Sequence, residues 1–136
     1  ILVNEIAPRP HNSGHWTIEG AQSSQFEQHI RAVLGWPLGS TMRRSPTVMT
    51  NILGTVNTPR PATLTGVESA LADEHTSLHW YGKDEVRPLR KMGHLTLADD
   101  TVAITDPSTE PDSSTMQSLI ERARRHREAV AFIETT

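Results

Sequence analysis

The chain has 136 residues, 35% of them hydrophobic and none of them cysteine, which allows one modest core and excludes a disulfide framework or a thiolate metal centre. Thirteen Lys and Arg against sixteen Asp and Glu give a net charge of -3, so there is no broad positive field for nucleic acid and any anion site must be local. No apolar run reaches the length of a membrane span and no basic, apolar and small-residue leader opens the chain; a cytoplasmic protein without membrane or nucleic-acid partners is expected. Ile1 is not an initiator methionine and begins an apolar run, which reads as a piece of a longer chain.

Ile1 to Glu5 has the pattern of a buried strand that opens into a site. From Asn4 to Trp16 the chain then packs a carboxylate, a guanidinium, two imidazoles and amides into a stretch where Pro8, Pro10 and Gly14 oppose regular helix. Ser24 and Glu27 form a capping-box pair, Phe26, Ile30, Val33 and Leu34 share a helical face, and Gly35 and Pro37 end that helix. Thr47 to Leu53 is β-branched and bounded by Pro46 and Gly54, hence a strand. After the Asn57 to Pro61 connector, Thr65 and Glu68 are expected to cap a short helix bearing Val67, Ala70 and Leu71. Ser77 to Tyr81 reads as extended. Leu95 and Leu97, a turn at Asp99-Asp100, then Val102 and Ile104 predict a β-hairpin. Beyond Pro107 and Pro111, Met116, Leu119, Ile120, Ala123, Val130 and Ile133 mark one side of a long amphipathic helix.

Three groups of polar residues bear chemistry. Glu5 and Asn12 offer hard oxygen ligands of the kind Mg²⁺ accepts. Arg9 has the planar fork that suits bicarbonate or carboxyphosphate, and His11 could hydrogen-bond the same oxyanion. The plainer alternative is that Arg9 pairs with a surface carboxylate while His11 and Asn12 cap local backbone groups. Zinc on His11, His15 and Glu19 is disfavoured, because Pro10 and Gly14 interrupt the helix that such spacing needs. Lys83, Arg87, Arg90 and Lys91 form a second group able to hold a phosphate, or a basic strand end neutralised by Asp84 and Glu85. Arg122, Arg124, Arg125, His126 and Arg127 read as a solvated helix face, with Glu121 and Arg125 spaced as a surface pair.

Two motifs, Asn4-Glu5-Ile6-Ala7-Pro8-Arg9-Pro10-His11-Asn12-Ser13-Gly14-His15-Trp16 and Tyr81-Gly82-Lys83-Asp84-Glu85-Val86-Arg87-Pro88-Leu89-Arg90-Lys91-Met92-Gly93-His94, resemble the C-terminal part of the N5-carboxyaminoimidazole ribonucleotide synthase family of ATP-grasp carboxylases. The resemblance implies an α+β fold: the end of an ATP-grasp domain over residues 1–45, then a small C-terminal β-rich domain of rudimentary barrel-sandwich type over 46–136, with flanking helices. It implies a homodimeric purine-biosynthesis enzyme that uses ATP and Mg²⁺, or Mn²⁺ in its place, to carboxylate aminoimidazole ribonucleotide with bicarbonate. By the same resemblance Asn4 and Glu5 lie at the nucleotide, Glu5 and Asn12 at the metal, and Arg9 and His11 at the carboxyphosphate. Ser13, Lys83, Arg87 and Arg90 join Arg9 and His11 in binding substrate, with Lys83 and Arg90 on the 5′-phosphate and Arg87 a neighbour. A second acidic metal ligand and a glycine-rich phosphate loop are not visible here, so this piece alone is expected to be inactive without the remainder of the enzyme; the alternative reading is a noncatalytic domain or remnant that supports oligomerisation or binds a phosphoribonucleotide. Leu89 stands where the family usually has glycine; if that position needs positive φ, leucine there is strained by on the order of 1 kcal/mol.

Overall fold

The computed structural model describes residues 2–3, 5–106 and 108–133. A 3-10 turn at Asn12–Gly14 leads into α1 (Thr17–Gly20) and α2 (Gln25–Val33). The strands and helices that follow are β1 (Thr47–Leu53), β2 (Arg60–Pro61), β3 (Leu64–Thr65), α3 (Val67–Leu71), β4 (Thr76–Trp80), β5 (Glu85–Val86), β6 (Lys91–Ala98), α4 (Ser113–Ala129) and β7 (Ala131–Phe132). The mixed α+β class is as expected. The strands form one open antiparallel sheet in the order β1-β6-β4 and two ribbons, β2-β5 and β3-β7, with no closed barrel among the described residues.

Both long helices start where their side chains dictate. Ser24 Oγ accepts from the Glu27 N–H at 3.2 Å, while the Glu27 carboxylate binds Arg31 at 2.7 Å and so does not close the capping box. Asp112 caps α4 by accepting from the Ser114 and Thr115 N–H groups, each at 2.9 Å. Leu119 and Ala123 of α4 pack on Leu97 and Val48 of the sheet. A larger cluster gathers Ile52, Val86, Met92, Leu95, Val130 and Phe132.

Several expectations are corrected. No described residue among the first five lies in a strand, and Leu2 and Val3 are exposed rather than buried. Leu95 and Leu97 belong to β6, which pairs with β1 and β4, not with Val102 and Ile104. The turn after Asp99 instead carries Ile104 to Arg44, whose carbonyl accepts its N–H at 2.9 Å. The long helix ends at Ala129, and Val130 leads into β7 on β3. The residue before α3 is Gly66 at φ 78, not Thr65; a Cβ there would lie 1.9 Å from the Ala129 carbonyl oxygen, so only glycine lets the two helix ends meet.

The basic face of α4 is less solvated than its composition implies. Arg122 donates to both Asp73 carboxylate oxygens at 3.0 and 2.8 Å, His126 stands 3.5 Å from the same carboxylate, and Arg127 donates to the Asn51 carbonyl at 2.8 Å. Burial works to raise the Asp73 carboxyl, but the Arg122 hydrogen bonds, the His75 N–H and the Arg122 and His126 charges together outweigh it, holding the carboxyl below its ordinary range. Arg124 and Arg125 remain exposed as expected. Among the described residues no helix is long and apolar enough to cross a membrane.

Candidate functional site

Asn51, His94 and His79 form one row across the three strands, because the register sets Asn51 opposite His94 and His94 opposite His79. Three residues of the N-terminal segment, spaced at helical intervals, dock on that row. Asn12 Nδ2 donates to Asn51 Oδ1 at 2.8 Å. His15 lies over His94 with ring centroids 5.0 Å apart. Glu19 Oε1 meets His79 Nε2 at 2.6 Å, and His79 stacks on His94 at 4.4 Å. Gln25, the first residue of α2, ties the segment internally: its Nε2 reaches the His11 carbonyl at 2.8 Å and His15 Nδ1 at 2.7 Å.

The covered face explains the electrostatics of the row. His94 is 2% exposed, and burial, followed by the neighbouring His79 and His15 rings, lowers its pKa to about 4. It is therefore neutral near pH 7. His15 is lowered as well, first by burial and then by His79, Lys91 and His11. Tyr81 OH is 2.8 Å from His94 Nδ1; burial raises the phenol, opposed by a hydrogen bond from the Asn12 side chain.

Around this row the expected residues fall into two walls. In the first, His11 Nδ1 accepts from the Ser13 N–H at 3.3 Å and contacts Ser13 Oγ at 2.8 Å, so His11 caps the 3-10 turn. Its Nε2 is 3.5 Å from Glu5. The exposed Arg9 guanidinium donates to the Pro10 carbonyl at 3.1 Å. Asn4 lies outside the described residues. A carboxylate at Glu5 and an amide oxygen at Asn12, whose nitrogen is taken by Asn51, fit the oxygen preference of Mg²⁺ but leave most of its six positions to other ligands. Among the described residues no group of three or more His, Cys, Asp or Glu is placed to hold a metal.

The second wall follows β4. Lys83 Nζ lies 5.4 Å from the Tyr81 ring centroid and donates to the Lys91 carbonyl at 2.5 Å. Burial, and then the Arg90 charge, lower the Lys83 pKa. Arg90 donates to the Glu85 carbonyl at 2.9 Å, whereas Arg87 is ion-paired with the Glu85 carboxylate. Among the described residues neither Lys83 nor Arg90 has a carboxylate partner, so the acidic neighbours neutralise Arg87 alone.

The backbone presenting these cations is unusual. Leu89 has φ 59 and is 78% exposed, the one non-glycine with positive φ among the described residues. Its N–H donates to the Gly54 carbonyl at 3.0 Å, and the Gly54 N–H donates to the Arg90 carbonyl at 2.8 Å. These two bonds hold the turn although nothing buries the leucine side chain. Leu89→Gly is expected to raise unfolding stability by about 0.5–1 kcal/mol, left-handed strain outweighing the chain entropy that glycine adds. Denaturant unfolding measures this; a loss of stability would show the turn unstrained.

Residue types and spacing did not single out Tyr81, His94, His79, Asn51 or Gln25. The available signal was a histidine at an inner strand position between Gly93 and Leu95, which acquires meaning only when His79 and Asn51 fall opposite it. A cavity of about 560 Å³ opens beside Asn12, Ser13 and Asn51, walled further by Trp16, Met49, Met116 and the Arg43–Glu110 ion pair.

Residues 47–107 match the family model described as phosphoribosylaminoimidazole carboxylase C-terminal domain, and residues 1–26 match the ATP-grasp domain. The chain is 52% identical over 100 residues to N5-carboxyaminoimidazole ribonucleotide synthase of Vibrio parahaemolyticus, a match covering 74% of this chain and 24% of that protein. With the synthase of Mycobacterium tuberculosis it shares 50% identity over 105 residues, 76% of this chain and 24% of that one. It thus spans about a quarter of the length of the curated relatives it matches. The solved N5-carboxyaminoimidazole ribonucleotide synthetase of Thermotoga maritima superposes with TM-score 0.81 at 48% identity, over 98% of this chain and 33% of that one. The Aspergillus clavatus N5-carboxyaminoimidazole synthase, solved with ADP and 5-aminoimidazole ribonucleotide, has TM-score 0.63 at 31% identity, over 88% of this chain and 29% of its own.

Proposed function

The chain is similar in sequence and fold to the C-terminal portion of N5-carboxyaminoimidazole ribonucleotide synthase, and on that premise we propose that it supplies two walls of the site that carboxylates aminoimidazole ribonucleotide. In the complete reaction ATP converts bicarbonate to carboxyphosphate, and the carboxyl group then passes to the exocyclic amine, releasing phosphate and ADP. Residues 1–45 close the ATP-grasp domain and residues 46–136 form the small C-terminal domain. The remainder of the enzyme completes the nucleotide site, and two copies form the working homodimer.

Arg9 and His11 hold the carboxyphosphate oxygens, where a preorganised guanidinium fork and imidazole stabilise developing charge. Ser13 fixes His11. Asn4 and Glu5 border the nucleotide. Glu5 and Asn12 would hold Mg²⁺, or Mn²⁺, which when bound spreads the phosphoryl charge. Lys83 and Arg90 bind the 5′-phosphate and so orient the amine, which is catalysis by positioning; Arg87 stays beside them, neutralised by Glu85.

One observation carries this reading: among the described residues Lys83 and Arg90 offer charge with only backbone carbonyls as hydrogen-bond acceptors, while the adjacent Arg87 already has its carboxylate. Arg90→Ala and Lys83→Ala in the complete synthase should each raise KM for the ribonucleotide by about tenfold or more, the value of one charged hydrogen bond. Arg87→Ala should change it by less than about threefold. Steady-state kinetics decide: equal effects at all three positions would remove the phosphate assignment. The chain by itself is expected to hydrolyse no ATP.

A second reading, a noncatalytic packing domain, draws on the apolar face of α2 and the residues after it, where Ile30, Val33, Leu34 and Trp36 are 53%, 69%, 53% and 60% exposed. Such a patch marks a contact surface, and the homodimer accommodates it without excluding the catalytic reading.

A further inference from the structure

Tyr81 lies between the two walls. Its ring lies under the Lys83 ammonium at 5.4 Å, its edge meets the His15 ring at 6.3 Å, and its hydroxyl bonds His94 at 2.8 Å beside the Asn12 side chain. We propose that Tyr81 is the positioning residue of the composite site, its hydroxyl seating Asn12 of the first wall and its ring seating Lys83 of the second.

Its placement follows from strand geometry. Tyr81 lies two residues beyond His79, so it continues the face on which Asn51, His94 and His79 form their row. Its N–H donates to the Met92 carbonyl at 3.0 Å, which anchors the backbone to β6. Behind the hydroxyl stands His94, itself held between the His79 and His15 rings. The hydroxyl therefore has a fixed partner inward, His94, with the Asn12 side chain as its neighbour. Asn51 also holds Asn12, since Asn12 Nδ2 donates to it and Arg127 holds the Asn51 carbonyl. With the amide nitrogen so occupied, the amide oxygen of Asn12 is the atom left for a ligand.

Lys83 is held differently. A flexible four-carbon stem does not define where its ammonium sits, and the Lys91 carbonyl supplies only one acceptor. The Tyr81 ring provides a second, directional restraint through its electron-rich face. The two functions of Tyr81 thus reside in different parts of one side chain, and substitution can separate them.

The inference rests on the reading of Lys83 as a phosphate contact. In nuclear magnetic resonance spectra of the chain, Tyr81→Phe should shift the side-chain amide signals of Asn12 and Asn51 and leave the Lys83 ammonium environment in place. Tyr81→Leu should move both. In the complete synthase, Tyr81→Phe should keep KM for aminoimidazole ribonucleotide within about twofold and Tyr81→Leu should raise it about three- to tenfold, the range of a cation–π restraint, while both lower kcat to a similar degree because both remove the hydroxyl that seats Asn12. Tyr81→Trp should restore KM. Unchanged Asn12 signals in Tyr81→Phe, or the same KM in the Leu and Phe variants, would overturn the proposal. If Tyr81→Leu does not fold by thermal melting, the Phe variant decides alone through the Asn12 amide. A synthase in which Lys83→Ala leaves KM unchanged would instead defeat the reading beneath the proposal, which distinguishes the two failures.

Discussion

Gly54→Ala is expected to cost about 2–4 kcal/mol of stability and to lower ribonucleotide affinity at least tenfold, though it adds a single methyl group. A Cβ at this position would lie 2.0 Å from the Arg87 carbonyl oxygen and 2.9 Å from Val86 Cγ2. The first neighbour is backbone, so it cannot rotate away. Gly54 is also fixed from both sides, donating to the Arg90 carbonyl and accepting from the Leu89 N–H. Relief therefore requires the turn from Arg87 to Arg90 to move off the end of β1, taking with it a cation assigned to the phosphate. Denaturant unfolding and calorimetric titration would measure the two effects. A variant within about 0.5 kcal/mol of the parent, with unchanged affinity, would show that the turn is not pinned there.

The second large effect is a dependence on pH. His94 is lowered to about 4 in the folded chain, against about 6.5 when unfolded. Between these values the unfolded state binds the extra proton, so stability rises with pH across that window and this contribution is complete above about 6.5. His15, also lowered, acts in the same direction. His94 alone should remove roughly 3 kcal/mol as the pH falls from 6.5 to 4. Asp73 contributes in a lower range, because its carboxyl is held below the ordinary value and its stabilisation is lost as pH falls further. His94→Gln, which keeps a polar partner for Tyr81, should flatten the slope between pH 6.5 and 4. A parent chain with no slope there, measured by urea unfolding at each pH, would mean that the imidazole row accepts protons freely.

The helices were the most legible elements, because Ser24 with Glu27 and the apolar spacing from Met116 to Ala123 are local signals that act within one or two turns. β1 was legible for the same reason. What failed depended on distant pairing. Leu95 and Leu97 do alternate, but their ladder partners are Thr50 and Leu78, and Val48 and Thr76, not the next run along the chain. His94 and Thr96, on the other face of β6 from Leu95 and Leu97, are buried as well, His94 under the His15 ring of the N-terminal segment. The strain at Leu89 was legible as a glycine position filled by leucine, and its φ of 59 agrees.

In the candidate site, Arg9, His11, Asn12, Lys83 and Arg90 could be named from the motifs, while the residues that orient them could not. Asn51 is an ordinary strand residue until the register sets it opposite His94, and Tyr81, just past β4, until its ring comes under the Lys83 ammonium. The difference between Arg87 and Arg90 also required three dimensions, because both are close in sequence to Glu85 and only Arg87 is ion-paired with its carboxylate.

The most direct test is a calorimetric titration of the complete synthase with aminoimidazole ribonucleotide and with the corresponding nucleoside lacking the 5′-phosphate, repeated with Lys83→Ala/Arg90→Ala. Lys83 and Arg90 as the phosphate wall predict that the parent prefers the ribonucleotide by about a hundredfold, two charged contacts, and that the double variant loses the preference while binding the nucleoside as before. A preference that survives the double substitution would contradict this assignment and place the phosphate elsewhere.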